Sequence, residues 1–291
     1  MRINPALLLL AGMAACQPAP QTTTTAPAPE PAAPVLTEAW VVTGLKTPES
    51  ILFDATRNVI YVSNINGNPT DKDKNGSIAR ISPEGQLLDS AWVTGLDAPK
   101  GMAIVADTLY VTDINDLVAI DLKAGKVLKR YPAEGSKFLN DVAADAKGQV
   151  YISDSYANTV YTLTGGKVSV WSQDSIIDGP NGLYMNGDTL LMGNKGTVLA
   201  FNLTTGVPTV WEDSSGAEGA TDGLVPDGNG GYFTSNWVGT TWYIHPGRKP
   251  VVLMNTTEQK INSADLETIP AKKLLLVPTF FDNRVVAYTW K

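Results

Sequence analysis

From Ala39 onward the apolar positions come in short, strand-length runs, separated by clusters of Gly, Pro, Asn and Asp. The runs recur. Ala39-Trp40-Val41-Val42-Thr43-Gly44-Leu45, leading to Pro48-Glu49-Ser50, is echoed by Ala91-Trp92-Val93-Thr94-Gly95-Leu96, leading to Pro99-Lys100-Gly101. Related junctions follow at Leu139-Asn140-Asp141, Pro180-Asn181-Gly182, Thr221-Asp222-Gly223 and, more loosely, Ser263-Ala264-Asp265. Their middle residues are spaced by 51, 40, 41, 41 and 42 positions. Within each period a first strand leads through a turn, such as Asp145-Ala146-Lys147-Gly148, into a β-rich second strand. These second strands end at Asn64, Asp113, Asp154, Asn194, Asn236 and Thr279, and a third strand follows each. A fourth commonly carries Trp, at Trp40, Trp92, Trp171 and Trp211, a recurrence that marks packing between repeats.

Four strands in a period of this length define a β-propeller blade. The last period supplies only three strands, while the segment from Ala39 to Leu45 is a fourth strand with no blade before it. The pattern therefore predicts an all-β, six-bladed β-propeller over residues 36–291, its last blade closed by the N-terminal strand. The surplus residues of the first period, between Asn66 and Ser77, read as a polar hairpin loop. Asp71, Asp73 and Asn75 imitate a calcium loop, but its twelfth position is Ser82 instead of Glu.

The N-terminus is of another kind. Arg2, an apolar run from Ala6 to Met13, and the small residues Ala14, Ala15 and Cys16 have the layout of a signal peptide over residues 1–15. Met13-Ala14-Ala15-Cys16 resembles the bacterial lipoprotein signal, which implies lipidation of Cys16. Residues 16–35, dominated by Pro, Ala and Thr, suit an extended tether. With Gln17 after the Cys, the resemblance implies a protein lipid-anchored at the periplasmic face of the outer membrane.

Charge and composition narrow the chemistry. A formal net charge of -7 disfavours a nucleic-acid partner. A single Cys and a single His exclude a disulfide framework and Cys/His zinc sites, so any metal must be held by oxygen. No glycine loop with Lys-Ser or Lys-Thr is present to cradle a nucleotide.

In a propeller the first strands line the channel, which brings the middle residues of the six junctions together: Glu49, Lys100, Asn140, Asn181, Asp222 and Ala264. Two carboxylates and two carboxamides suit calcium, or another divalent cation with oxygen ligands. Asn181-Gly182 and Asp222-Gly223 are also ordinary turn dipeptides, but Glu49 and Asn140 are not followed by Gly.

The order of Glu in the first blade, Asn140-Asp141 in the third, Pro-Asn-Gly in the fourth and Asp-Gly in the fifth resembles the senescence-marker-protein/gluconolactonase family. Paraoxonases and diisopropyl fluorophosphatase share its architecture. The resemblance implies calcium on Glu49, Asn140, Asn181 and Asp222, and hydrolysis of a small lactone or ester, with Asp222 as general base or nucleophile. Phe138 stands where sugar-lactonase members carry Arg, so sugar-acid recognition is not carried over. His245, before Pro246-Gly247, reads as a turn residue and not as a channel histidine.

Lys100 is placed either to bind a substrate carboxylate or to pair with Asp113, which joins it as a candidate substrate-binding residue. Trp237 and Phe280 follow second-strand ends and are candidates for an apolar pocket wall. The competing function is a non-catalytic propeller lipoprotein that binds a ligand or a protein. Envelope-protein assembly is a further possibility, with no residue pattern in its favour.

Overall fold

A computed structural model of the chain describes Met1, residues 33–213 and residues 221–291. Cys16 and the tether lie outside the described residues, apart from its last positions. Strand β1 (Leu36–Val42) precedes a regular series. The first blade holds β2 (Pro48–Asp54), β3 (Val59–Asn64), β4 (Gly76–Ile81) and β5 (Leu87–Leu96). The second holds β6 (Pro99–Val105), β7 (Thr108–Asp113), β8 (Asp116–Asp121) and β9 (Lys126–Pro132). The third holds β10 (Leu139–Ala144), β11 (Val150–Asp154), β12 (Thr159–Thr164) and β13 (Lys167–Ser172). The fourth is β14 (Leu183–Asn186), β15 (Thr189–Asn194), β16 (Thr197–Asn202) and β17 (Pro208–Asp213). The fifth is β18 (Leu224–Pro226), β19 (Tyr232–Asn236), β20 (Thr240–Ile244) and β21 (Val251–Asn255). The sixth, β22 (Glu267–Ile269), β23 (Leu274–Pro278) and β24 (Val285–Trp290), is completed by β1, which pairs antiparallel with β24 from Leu36↔Trp290 to Val42↔Val285. The chain is thus the predicted six-bladed all-β propeller, closed by its N-terminal strand.

The innermost strands β2, β6, β10, β14, β18 and β22 touch in sequence around the ring, and a bridge from Ser50 to Asp265 joins the last to the first. Apolar side chains collect in six layers between neighbouring blades. Val42, Ile51, Val62 and Leu276, for example, fill the layer between blades six and one. The repeated tryptophans add to these contacts. Trp40, Trp92 and Trp171 each lie against a glycine in the outer turn of the next blade, Gly85, Gly125 and Gly206, where a Cβ would collide with or crowd the indole.

Close approach at the centre also needs glycine. A Cβ on Gly101 would overlap the Asp141 carboxylate, and one on Gly182 would overlap the backbone of Asp222. The innermost strands of the first three blades bulge at the junctions, between Pro48 and Ile51, Pro99 and Met102, and Leu139 and Val142. Such bulges re-aim side chains out of the ordinary alternation. Here they fall on Glu49, Lys100 and Asn140.

Candidate functional site

Glu49, Lys100, Asn140, Asn181 and Asp222 line one cavity of 410 Å³ at the mouth of the channel, together with Trp237 and Phe280. Seven of the eight residues assigned to binding or catalysis from sequence therefore meet. Asp113 does not. Its carboxylate accepts the N–H groups of Asp97 and Ala98, the latter at 2.8 Å, and pairs with Arg130 at 2.7 Å, all beneath the loop that precedes β6. It is consumed by structure and is not part of the cavity lining, which corrects its assignment as a substrate-binding residue.

Asp113 is one instance of a repeated device. Asn64 accepts Lys46 N–H, Asp154 accepts Lys137 and Phe138 N–H, and Asn194 accepts Asp178 N–H. The Asn or Asp at the end of each of these second strands thus fastens the loop that enters its own blade.

The cavity floor is arranged around oxygen. The Asn140 amide nitrogen donates to Ser155 Oγ at 3.0 Å, which leaves its oxygen for the cavity, and the Asn181 amide favours the charged form of the neighbouring Asp222 carboxyl. Glu49 Oε2 and Asn181 Oδ1 are fully buried and have no hydrogen-bond partner, a costly state for polar atoms. Burial, reinforced by Asp222, pushes the Glu49 carboxyl well up. Burial pushes Asp222 up to about 7, against the opposing influence of the Asn181 amide. Two inward carboxylates and two bare amide oxygens fit a hard divalent cation. Among the described residues no three His, Cys, Asp or Glu side chains form a metal cluster, so the fit depends on the amide oxygens.

Phe138 stacks on Tyr156, with ring centroids 4.5 Å apart, and Trp237 meets Phe280 edge-on at 5.5 Å. Tyr156, Ile65, Pro69 and Ser155 are lining residues that the sequence analysis did not select. Ile65 and Ser155 follow second-strand ends directly, so the rule that selected Trp237 and Phe280 could have found them, whereas Tyr156 lies one position beyond it. His245 lies outside the cavity, with its ring against the carbonyl of Pro246.

Below the floor, Asp141 and Asp265 occupy the positions after Asn140 and Ala264, and with Glu267 they line a second cavity of 250 Å³. Asp141 links blades three and four by accepting Leu183 N–H at 2.6 Å. Ser50 donates to Asp265 at 2.5 Å, and Phe53 N–H donates to Glu267 at 3.0 Å, which tie blade one to blade six. Burial pushes Glu267 up to about 7, although the Phe53 and Thr268 N–H groups favour its charged form. Between 4.5 and about 7 the folded chain holds a proton that the unfolded chain has released. This group therefore lowers stability as pH rises through that window, by on the order of 3 kcal/mol in all. The chelated protein is expected to melt at falling temperature from pH 4.5 to 7, and Glu267→Gln to flatten part of that slope. An unchanged slope in the variant would show that Glu267 ionises at its ordinary value.

Fold and site together define a six-bladed propeller with an oxygen-lined pocket on its axis. Residues 56–213, more than half of the chain, match the family model described as outer membrane protein assembly factor BamB, and the chain belongs to that family. The match establishes a β-propeller family and falls on BamB, not on the gluconolactonase group that the junctions resemble. No curated protein matches the sequence. Among solved structures, a catalytically inactive virginiamycin B lyase from Staphylococcus aureus with quinupristin is similar at 12% identity. The likeness covers 88% of this chain and 99% of that one, with a TM-score of 0.61. A chain of a nidogen/laminin complex is similar at 15% identity over 74% of this chain and 86% of that one, again with a TM-score of 0.61. At these identities the likeness is one of fold.

Proposed function

We propose that the axial cavity holds a divalent cation, calcium by its donor set, and hydrolyses a small ester or lactone. The two buried, partnerless oxygens Glu49 Oε2 and Asn181 Oδ1 carry this reading, because ordinary folding does not leave such atoms bare. Glu49, Asn140, Asn181 and Asp222 would hold the cation, which when bound supplies polarisation of the substrate carbonyl. Asp222 stands in the same cavity as the substrate and holds or takes a proton near neutral pH, as general base towards water, or attacks as nucleophile. Asn181, beside that carboxylate in the cavity, favours its charged form. The aromatic side chains of Phe138 and Trp237 line the remainder of the cavity.

After chelation, the unfolding midpoint of the purified chain is expected to rise when calcium is restored and to respond less to magnesium. A ligand at 100 times its Kd adds roughly 2.7 kcal/mol. A midpoint indifferent to every cation, in a protein purified without metal, would remove the basis for the hydrolase.

The family match favours a second reading, a protein-binding propeller in outer-membrane assembly on the periplasmic side, anchored through Cys16. Apolar side chains on outer strands, including Leu88, Leu128 and Val252, are exposed and available for such a role. A loss of outer-membrane protein assembly on deletion of the gene, restored by an Asp222→Asn copy, would support this reading over hydrolysis.

A further inference from the structure

Among the described residues Lys100 is the one cationic residue that lines the cavity, and it is only 1% exposed. Its Nζ donates to Ala98 O at 2.9 Å and stands 4.3 Å from the centre of the Phe138 ring. Asp113, the acid nearest in sequence, is held by Arg130 and by backbone N–H groups. Glu49 acts on Lys100 electrostatically but makes no ion pair with it. Lys100 thus has one bonded N–H of three and a buried charge with no bonded counter-ion, facing a cavity.

The formal charges of the floor decide what can enter. Among the described lining residues Glu49, Asp222 and Lys100 sum to -1, and a divalent cation turns this into +1, while Asp141 and Asp265 line the separate cavity beneath. The loaded lining therefore accepts an anion, and the ammonium group of Lys100 is the donor left for it. The walls select the remainder of the ligand. Phe138 and Tyr156 present a stacked pair from blade three, and Trp237, 43% exposed, stands with Phe280 and Phe281 on blades five and six. In a ring of six, blade three faces blade six. With Glu49, Asn140, Asn181 and Asp222 on the cation and Lys100 on the carboxylate, only Ser155, the Tyr156 hydroxyl and the Trp237 indole N–H remain among the described lining side chains for the hydroxyls of a polyol.

We infer that the cavity takes an amphipathic carboxylate: one carboxylate on a flat apolar body, with the carboxylate on Lys100 and the body between Phe138–Tyr156 and Trp237. Resting on the cation-dependent reading above, this makes the substrate an ester or lactone that carries a free carboxylate on an aromatic or similarly flat framework.

The test is calorimetric titration of the calcium-loaded full chain with 3-phenylpropionate, its neutral amide, and gluconate as a carboxylate without an apolar body. The wild type is expected to bind phenylpropionate at least about 10-fold more tightly than either comparator. Lys100→Met should erase the preference over the amide, while calcium still raises the variant's unfolding midpoint. Tyr156→Ala, at a residue 63% exposed, should weaken phenylpropionate and its amide alike without unfolding the ring. A calcium-induced rise with equal affinity for carboxylate and amide, or with no binding of either, would overturn this inference and leave the cation reading standing. Lys100-dependent binding to the chelated protein, with no response to calcium, would keep the anion site and overturn the cation reading.

Discussion

Hydrolysis by Asp222→Asn is expected to fall by on the order of 10²–10³-fold or more, the cost of removing a group that acts directly on the transition state. The change keeps the shape of the side chain, so the ring should stay folded. Replacing a carboxyl that burial has pushed up to about 7 with a neutral amide also removes a desolvation burden. The chelated variant should therefore melt no lower than the chelated wild type. Calcium, facing one carboxylate where there were two, should lose most of its stabilising effect. Glu49→Gln should show the same pattern, because it removes the other charge and turns one bare oxygen into a poorer ligand. Rates measured on the ester or lactone with the highest wild-type turnover, alongside melting curves with and without calcium, separate these effects. Wild-type turnover in Asp222→Asn would remove that residue from the chemistry. A preserved calcium response in both variants would move the cation elsewhere.

Removal of residues 33–45 is the second large change. Strand β1 and the loop after it bring Val42 and Leu45 into the layer between blades six and one, both under 5% exposed, and Trp40 packs against that layer. Each such apolar side chain contributes about 1.5–3 kcal/mol. The ladder from Leu36↔Trp290 to Val42↔Val285 is lost with them, which bares β24 as an edge. The sum is on the order of the whole stability of a domain, roughly 5–15 kcal/mol. The truncated chain is expected to show no cooperative unfolding near the wild-type midpoint and to self-associate. A synthetic peptide of residues 33–46 should restore the transition. If the truncated chain melts like the wild type, closure by β1 is dispensable and blade six is stable with three strands.

The ring and most of its pocket were legible because a repeat converts distance along the chain into position around an axis. Once the junctions were aligned, Glu49, Asn140, Asn181 and Asp222 had to converge, whatever each residue did alone. Asp113 shows where that logic ends. It too recurs in register, but one step later in the blade, where the carboxylate turns back to its own loop. An Asx that ends a second strand in blade after blade serves the blade, while a site on the axis needs different residues from each. Tyr156 was missed because its reach into the mouth depends on the conformation of the turn after Asp154, which strand patterning does not fix. Asp141 and Asp265 were quoted in the junction motifs, yet a side chain following a ligand position looks the same in sequence whether it faces the channel or the sheet. The bulges at the junctions decide this, and they follow from packing between blades.

Closure also brings the two ends of the ring together. Val35 and Lys291 exchange backbone hydrogen bonds at 3.1 and 3.3 Å, so the chain enters and leaves the propeller at one edge of one blade. Anything joined ahead of Val35 and anything appended after Lys291 would pull on the same pair of strands. The ring could be reopened at any other junction to make a permuted chain with its blades in the same circular order.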